Sequence, residues 1–341
     1  MGIRGLTSLI NKYVPDAVTV HSLNYFKGAT IAIDTSILLY KFRYSNNNPN
    51  SHINGFLNKC LNYVKYGIIP IFIIDGKPPP EKNNTLVKRY KQRKKIELRI
   101  ELLKKQLEDN IKNKEYIIHQ IKKLNKQIIT VTREHHKDSK ELLQSLGFKV
   151  INSPGEAEEV CAVLQKDNLV NFTYSDDTDM LALGCKKVLR SNNKINHLTE
   201  IDLEKVLNGL NLNFEEFVDM CILCGCDYCS SIPKVNYEIA YELIKKHKSI
   251  DTLIENKILT NIPYNFNYKN ARNIFKKCID EVKLDEVKLP SIDEKKLILF
   301  LSKKKYNKKY IMNYIKTFNN SLESYDKPEI DNSCYFSLNK K

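Results

Sequence analysis

Ser153-Pro-Gly-Glu-Ala-Glu158 and Ser175-Asp-Asp-Thr-Asp179 set four carboxylates, Glu156, Glu158, Asp177 and Asp179, in two tight clusters, each just beyond a short apolar run. The runs, Phe148 to Ile151 and Leu169 to Tyr174, read as β-strands. Ser153, Pro154 and Glu156 also spell a helix start, as N-cap, first helical residue and capping-box acid. Capping accounts for Glu156 but not for Glu158, Asp177 or Asp179, which stand where strands stop. In open parallel sheets the binding crevice lies outside the carboxyl ends of the strands. Carboxylate oxygens gathered there suit a hard divalent cation.

Upstream, the β-branched run Thr30 to Ile33 ends in Asp34, and Ile68 to Ile74 ends in Asp75-Gly-Lys-Pro-Pro-Pro80. Both read as buried strands followed by an acid. Between them, Ser36 to Tyr44 and Ile53 to Tyr66 carry helical spacing, broken by the Asn-rich loop around Asn46 to Asn50. Strand and helix alternate, which predicts an α/β fold with a mostly parallel central sheet flanked by helices. A lone acid after a strand is usually a turn or cap residue. Four strands ending in acids are not explained that way.

Lysine and arginine number 55 against 40 acids, a net charge of +15, which points to an acidic partner, foremost nucleic acid. Between Lys82 and Lys126 there are 15 basic residues and 5 acidic ones, so this segment holds +10 of the total. Ile96, Ile100, Leu103 and Leu107, then Ile117, Ile121, Leu124 and Ile128, recur at helical spacing on either side of a break at 110–113. They predict two amphipathic helices, either a solvated hairpin or a cationic pair overhanging the acidic crevice, where phosphates must arrive. No run approaches the roughly 18 apolar residues of a membrane span. The expectation is a soluble, intracellular protein.

Further on, Asn213 to Leu223 reads as a helix that delivers Gly225-Cys-Asp-Tyr228 at its end, making Asp227 another candidate ligand. Tyr237 to His247, Ser249 to Glu255 and Lys295 to Leu301 read as further helices. Nine cysteines, an odd number, fit reduced thiols better than a disulfide framework. Cys221-Ile-Leu-Cys224-Gly-Cys226-Asp-Tyr-Cys229 offers two Cys-x-x-Cys pairs. Structural zinc sites set such pairs further apart, and a single glycine between them argues against zinc.

Met1-Gly-Ile-Arg-Gly-Leu6, Ala32-Ile-Asp34, Ile74-Asp-Gly-Lys-Pro-Pro79, Pro154-Gly-Glu-Ala-Glu158, Asp176-Asp-Thr-Asp179 and Leu223-Cys-Gly-Cys-Asp-Tyr-Cys229 resemble, in order, the blocks of the structure-specific 5′ nucleases of the XPG/Rad2 type. Six ordered motifs are far more specific than one, and the match runs from Met1 to about Lys248. Length and the Asp75-Gly-Lys-Pro-Pro block look most similar to the flap endonuclease branch. The resemblance implies a nuclease core over 1–248, made of an N-terminal block (1–80), a helical arch (81–136) and an internal block (137–248) that includes a helix-hairpin-helix region (228–248). A helical region (249–302) and a basic, flexible tail (303–341) complete the expected organisation.

The resemblance further implies that Asp34, Asp75, Glu156, Glu158, Asp177, Asp179 and Asp227 bind two Mg²⁺ ions, for which Mn²⁺ can substitute, directly or through water. Reading the residues alone had gathered the same seven. Lys82 and Arg89 match basic residues of the arch that steer the scissile phosphate, and Arg89 can fork onto it. Tyr40 matches an aromatic on which a nucleobase stacks, its plainer alternative being core packing. Lys91, Arg93, Lys94 and Arg133 extend the basic arch as DNA contacts. The implied activity is metal-dependent hydrolysis of DNA at 5′ flaps or branched junctions by a monomer in replication and repair, in the nucleus or wherever DNA is replicated. Other branches, Holliday-junction resolvases and 5′ exonucleases, and a non-catalytic DNA-binding relative are the alternatives.

Two departures stand out. The family's hairpin carries glycines that bind a monovalent cation, whereas here Ile232-Pro-Lys-Val-Asn-Tyr237 has none; this puts the cation site in doubt and leaves Lys234 to contact phosphate. No Gln-x-x-Leu-x-x-Phe-Phe sequence for docking on a sliding clamp is found, Tyr335-Phe336 being a weak substitute.

Overall fold

The computed structural model describes residues 2–323, apart from 46–47, 78, 110–112, 129, 278–281, 283, 285–286 and 288. In chain order, α1 (Leu6–Tyr13) leads into β1 (Val18–Ser22) and β2 (Thr30–Asp34). Next come α2 (Thr35–Ser45), α3 (Ser51–Lys65) and β3 (Ile69–Ile74). The helices α4 (Asn83–Asp109) and α5 (Lys114–Gln127) form the basic hairpin, and α6 (Arg133–Ser145) returns the chain to β4 (Lys149–Asn152). Then α7 (Ala157–Lys166), β5 (Phe172–Tyr174), α8 (Asp179–Ala182), β6 (Lys187–Ser191) and β7 (His197–Asp202) complete the sheet. Eight-residue α9 (Leu203–Leu210) precedes α10 (Phe214–Cys224), α11 (Tyr237–His247), α12 (Ile250–Glu255), α13 (Tyr268–Lys276), α14 (Glu294–Lys303) and α15 (Lys308–Glu323).

Among the described residues one seven-stranded sheet runs β1-β7-β6-β5-β2-β3-β4. From β6 to β4 all neighbours pair in parallel, while β7 is antiparallel to both β6 and β1. The expected mostly parallel sheet is therefore present. Alternate residues of its central strands enter different cores. Ala32, Ile71, Ile73 and Val188 pack on one side with α1 and α7 to α13. Ile31, Ile33, Phe72, Phe172 and Leu189 pack on the other with α2, α3, α6, α14 and α15. A sheet covered on both faces explains why its inner strands read as continuous apolar runs.

Local chemistry sets several helix starts. Asn213 accepts from the Glu216 backbone and Glu216 answers by accepting from the Asn213 N–H, a capping box that opens α10. The helix expected to open at Ser153 starts later instead. Glu156 is the N-cap of α7, without a side-chain cap bond, and Ser153 holds the preceding turn by donating to the Glu156 carbonyl. The stretch expected as a flexible tail also differs. In α15, Ile311, Tyr314, Ile315 and Phe318 are buried against the α3 side of the sheet, an amphipathic pattern that the many lysines and asparagines obscured. Residues 324–341, including Tyr335 and Phe336, lie outside the described residues, as does the break at 110–112.

A partly buried ion pair, with Asp219 its buried member, ties the helical region beyond α10 together. Arg272 on α13 forks onto Asp219 of α10 at 2.8 and 2.7 Å and also reaches Asp251 of α12 at 2.8 Å. Asp219 further accepts from the Ile250 N–H. Removing the arginine leaves a carboxylate buried without its partner, which typically costs 3–5 kcal/mol. Arg272→Met should lower the unfolding free energy by roughly 3 kcal/mol in urea titrations. Breaking the exposed Lys94–Glu97 pair on α4 by Lys94→Ala should change it by about 0.5 kcal/mol or less.

Candidate metal and nucleic-acid site

Sheet order explains why the acids meet. β5, β2, β3 and β4 are consecutive neighbours, and their carboxyl ends lead respectively to Asp177 and Asp179, to Asp34, to Asp75, and to Glu156 and Glu158. A cavity of about 490 Å³ opens there, lined by Asp34, Asp75, Glu156, Glu158 and Asp177 together with Tyr40, Lys82, Arg89, Arg133 and His136. Asp179 lies fully buried beneath this group at 0% exposure. Asp227 joins from the loop after α10 through an ion pair with Arg89 at 2.6 Å.

Backbone amides and hydroxyls aim these side chains. Asp34 accepts from the Ser36 and Ile37 N–H groups at the start of α2 and from the Ser175 hydroxyl at 3.1 Å. The Ala157 N–H, first of α7, donates to Asp75 at 2.6 Å, so a helix N-terminus faces that carboxylate. Gly76 lets the two loops touch: its N–H donates to the Gly155 carbonyl, and a Cβ there would strike the Ser153 and Pro154 carbonyls. At the N-terminus, Gly2 takes a φ of +91° against Asp177, where a side chain would collide with the carboxylate. Thr178 donates to the Ile3 carbonyl and the Arg4 N–H donates to the Gly225 carbonyl. The first residues thus join the Asp177–Asp179 loop to the Asp227 loop.

Burial and mutual repulsion dominate the electrostatics. Burial, followed by the charge of Asp75, raises the Asp34 carboxyl to about 7. Burial likewise holds Glu158 and Asp179 well above the usual carboxylate range, with Asp177 the largest charge acting on each. Burial draws the Lys82 ammonium down, but Glu158 and Glu156 outweigh it and keep the group protonated. Lys82 pairs with Glu156, whose other oxygen accepts from the Tyr228 hydroxyl at 2.7 Å. Both oxygens of Asp179 and Oε2 of Glu158 have no hydrogen-bond partner among the described residues.

Buried carboxylate oxygens without donors are costly unless a cation satisfies them. Every candidate ligand is an oxygen, the donor set of Mg²⁺ or Mn²⁺. The residues fit such an ion. Among the described residues no three of them converge on one point as a finished ligand shell, and Lys82 and Arg89 occupy one oxygen each of Glu156 and Asp227.

Other expectations sort by position. Tyr40 is 47% exposed on α2 at the cavity wall, which removes core packing as its explanation. Arg133 lines the cavity from the start of α6, whereas Lys91, Arg93 and Lys94 lie further out along α4 and do not line it. Asp176 turns away to accept from the Ser191 N–H and hydroxyl. Lys234 is exposed and outside the cavity, but its φ of +65° is the left-handed conformation expected of the missing glycine. Holding a non-glycine residue there costs roughly 1–2 kcal/mol. Asn236 in the same hairpin caps α11 by accepting from Ile239. Ile100 and Ile117 are buried between α4 and α5, so the stripes of the basic hairpin do pack on each other while its base lines the cavity. Sequence reading missed Tyr228, Ser175 and His136. Tyr228 and Ser175 stood in quoted motifs beside Asp227 and Asp177; nothing local marked His136.

The XPG N-terminal domain matches residues 1–96 and the XPG I-region matches residues 147–227. Flap endonuclease 1 of Drosophila grimshawi is 34% identical, covering 97% of this chain and 88% of that protein. The chain belongs to the XPG family. Flap endonuclease 1 of Plasmodium knowlesi is 37% identical over 92% of the chain, but the chain spans only 57% of that relative's length. Among solved structures, flap endonuclease-1 from Methanococcus jannaschii superposes with a TM-score of 0.68 at 22% identity, covering 93% of this chain and 99% of that one. The junction-resolving enzyme GEN1, solved with product DNA, Mg²⁺ and Mn²⁺, gives 0.62 at 18% identity, covering 92% and 76%. The XPG family fold is thus shared by the sheet and its flanking helices.

The orphaned oxygens make metal binding measurable without substrate. A ligand at a hundred times its Kd stabilises the state that binds it by roughly 2.7 kcal/mol. Mg²⁺ should therefore raise the Tm of the protein by a few degrees, and Asp179→Asn should remove at least half of that shift in calorimetry. An undiminished shift in the variant would place the ion elsewhere.

Proposed function

We propose that this chain is a divalent-metal-dependent nuclease that hydrolyses DNA phosphodiester bonds at 5′ flaps or related branched junctions. The observation that carries the reading is the set of buried, unpartnered carboxylate oxygens, both of Asp179 and Oε2 of Glu158, at a cavity lined by Glu158, Lys82 and Arg89. Membership of the XPG family supports it, as do the named activities of the flap endonuclease 1 relatives. All seven candidate ligands being present argues against a non-catalytic relative.

Asp34, Asp75, Glu156, Glu158, Asp177, Asp179 and Asp227 would hold the cations. When bound, such ions supply an acidified water and neutralise charge developing on the phosphate. The chain itself supplies order. Helix α2 and the Ser175 hydroxyl fix Asp34, the start of α7 fixes Asp75, and Tyr228 fixes Glu156. Lys82 and Arg89, now paired with Glu156 and Asp227, line the cavity with Arg133 and are within reach of an entering phosphate. Exchanging a carboxylate for a phosphate lets Arg89 turn its single charge-assisted bond to Asp227 into a forked contact. The exposed ring of Tyr40 gives an unpaired nucleobase a stacking surface, typically worth about 1–3 kcal/mol. The basic hairpin beyond, with Lys91, Arg93 and Lys94, supplies binding that depends on salt.

The test is a cleavage assay on labelled 5′-flap, nicked, single-stranded and four-way DNA with Mg²⁺. The flap should be cut preferentially, and a preference for the four-way junction would move the chain to another branch. Asp179→Ala should reduce cleavage to background while DNA affinity stays largely intact; full activity would refute the ligand assignment. Arg89→Ala should lower kcat by on the order of 10²-fold while Kd changes far less, because its partner is the reacting phosphate rather than one contact among many. A variant changed only in Kd would reduce Arg89 to general electrostatics.

A further inference from the structure

Two thiols flank the Asp227 loop and touch each other. In Cys226-Asp-Tyr-Cys229, Sγ of Cys226 lies 3.9 Å from Sγ of Cys229. Both follow the last turn of α10, so the pair is not locked in a helix, whereas Cys221 and Cys224 are buried within α10 itself. Cys229 is partly exposed and lines a second cavity of about 580 Å³, together with Asp227, Tyr228, Thr85 and Lys88. An oxidant entering from solvent therefore meets Cys229 first, with Cys226 already in place behind it. The two residues they enclose are both tied to the site: Asp227 to Arg89, and Tyr228 to Glu156. Thr85 of α4 also donates to the Asp227 carbonyl.

We propose that Cys226 and Cys229 are a reversible oxidation site, closing to a disulfide under hydroperoxides and thereby disabling the adjacent metal and phosphate site. The sulfur of Cys229 attacks a peroxide oxygen; the O–O bond breaks, an S–O bond forms, and the departing hydroxide takes the thiol proton as water. Cys226 then attacks that sulfur. An S–S bond forms as the S–O bond breaks, and the second hydroxide leaves with the Cys226 proton as water. Two thiols are oxidised and one hydrogen peroxide is reduced to two waters. Closure shortens the sulfur separation to about 2.05 Å, and the two-residue bridge must shift to allow it. Misplacement of a reacting group by about 1 Å can cost on the order of 10²-fold in rate.

The effect on cleavage rests on the proposed nuclease reading, whereas the disulfide does not. The experiment treats the full chain with hydrogen peroxide, alkylates free thiols, reduces with dithiothreitol, alkylates with a heavier reagent and locates each label by fragment mass spectrometry. The same samples are tested for flap cleavage and for the Mg²⁺-induced rise in Tm. The expected result is heavy label at Cys226 and Cys229, a loss of cleavage on the order of 10²-fold with a smaller Mg²⁺ shift, and recovery of both after dithiothreitol. Cys226→Ser and Cys229→Ser should each resist this reversible loss. Free thiols at both positions after peroxide, pairing of Cys221 with Cys224 instead, equal reversible loss in both serine variants, or a disulfide that changes neither readout would each overturn the proposal. If even reduced protein cuts no substrate, the nuclease reading fails, and the labels with the Mg²⁺ shift still decide the thiol site.

Discussion

Repulsion among buried carboxylates is the constraint around which this chain is arranged. Asp34, Glu158 and Asp179 are all under 9% exposed, and burial raises the cost of charge on each while neighbouring acids raise it further. A fold has few ways to tolerate that. Here hydroxyls, helix-start amides and two arch cations satisfy some of the oxygens, and the rest stay unpartnered. Strain of this sort persists only where the surrounding structure over-determines it. The parallel sheet does so, because its four adjacent strand ends are fixed by two well-packed cores.

The base of α4 is the second organising element. Lys82, Leu86 and Arg89 face the cavity over the acids, while Glu81, Thr85 and Lys88 face the second cavity beside Asp227 and Cys229. One turn of chain thus separates two openings. Its two salt bridges and the Thr85 bond hold it against both the Glu156 turn and the Asp227 loop. Lys82, Thr85 and Arg89 thus connect the start of the basic hairpin to Glu156 and to the Asp227 loop.

How much of this was legible follows from what each residue depends on. β2, β3 and β5 were readable because a strand buried on both faces must be apolar throughout, and its terminal acid then stands out. β1, β6 and β7, with sequences such as Val-Thr-Val-His-Ser and Lys-Val-Leu-Arg-Ser, carry no such run; β6 and β7 pair as a short hairpin, while β1 finds its partner β7 far along the chain. The acids could be gathered from sequence, but not the groups that hold them. Tyr228 reaches Glu156 across 72 positions and Ser175 reaches Asp34 across 141, distances over which local pattern is silent. Helix α15 was hidden for a different reason. Its lysines and asparagines set the composition, while four well-spaced apolar residues set the structure. Lys234 shows the converse limit, since its left-handed φ of +65° is not legible from residue type.

That last helix pair also bears on how the molecule is made. The core on the α3 side joins Phe56, Phe72 and Leu142 to Leu297, Phe300, Ile311 and Phe318, so it is assembled from both ends of the described chain. During synthesis from the N-terminus, the sheet and the opposite core have all of their strands available well before α14 and α15 emerge. Until then, α3 and α6 present uncovered apolar faces. The long loop closures that finish this core place it late on the folding path, and the interval before closure is when the nascent chain is most exposed to aggregation.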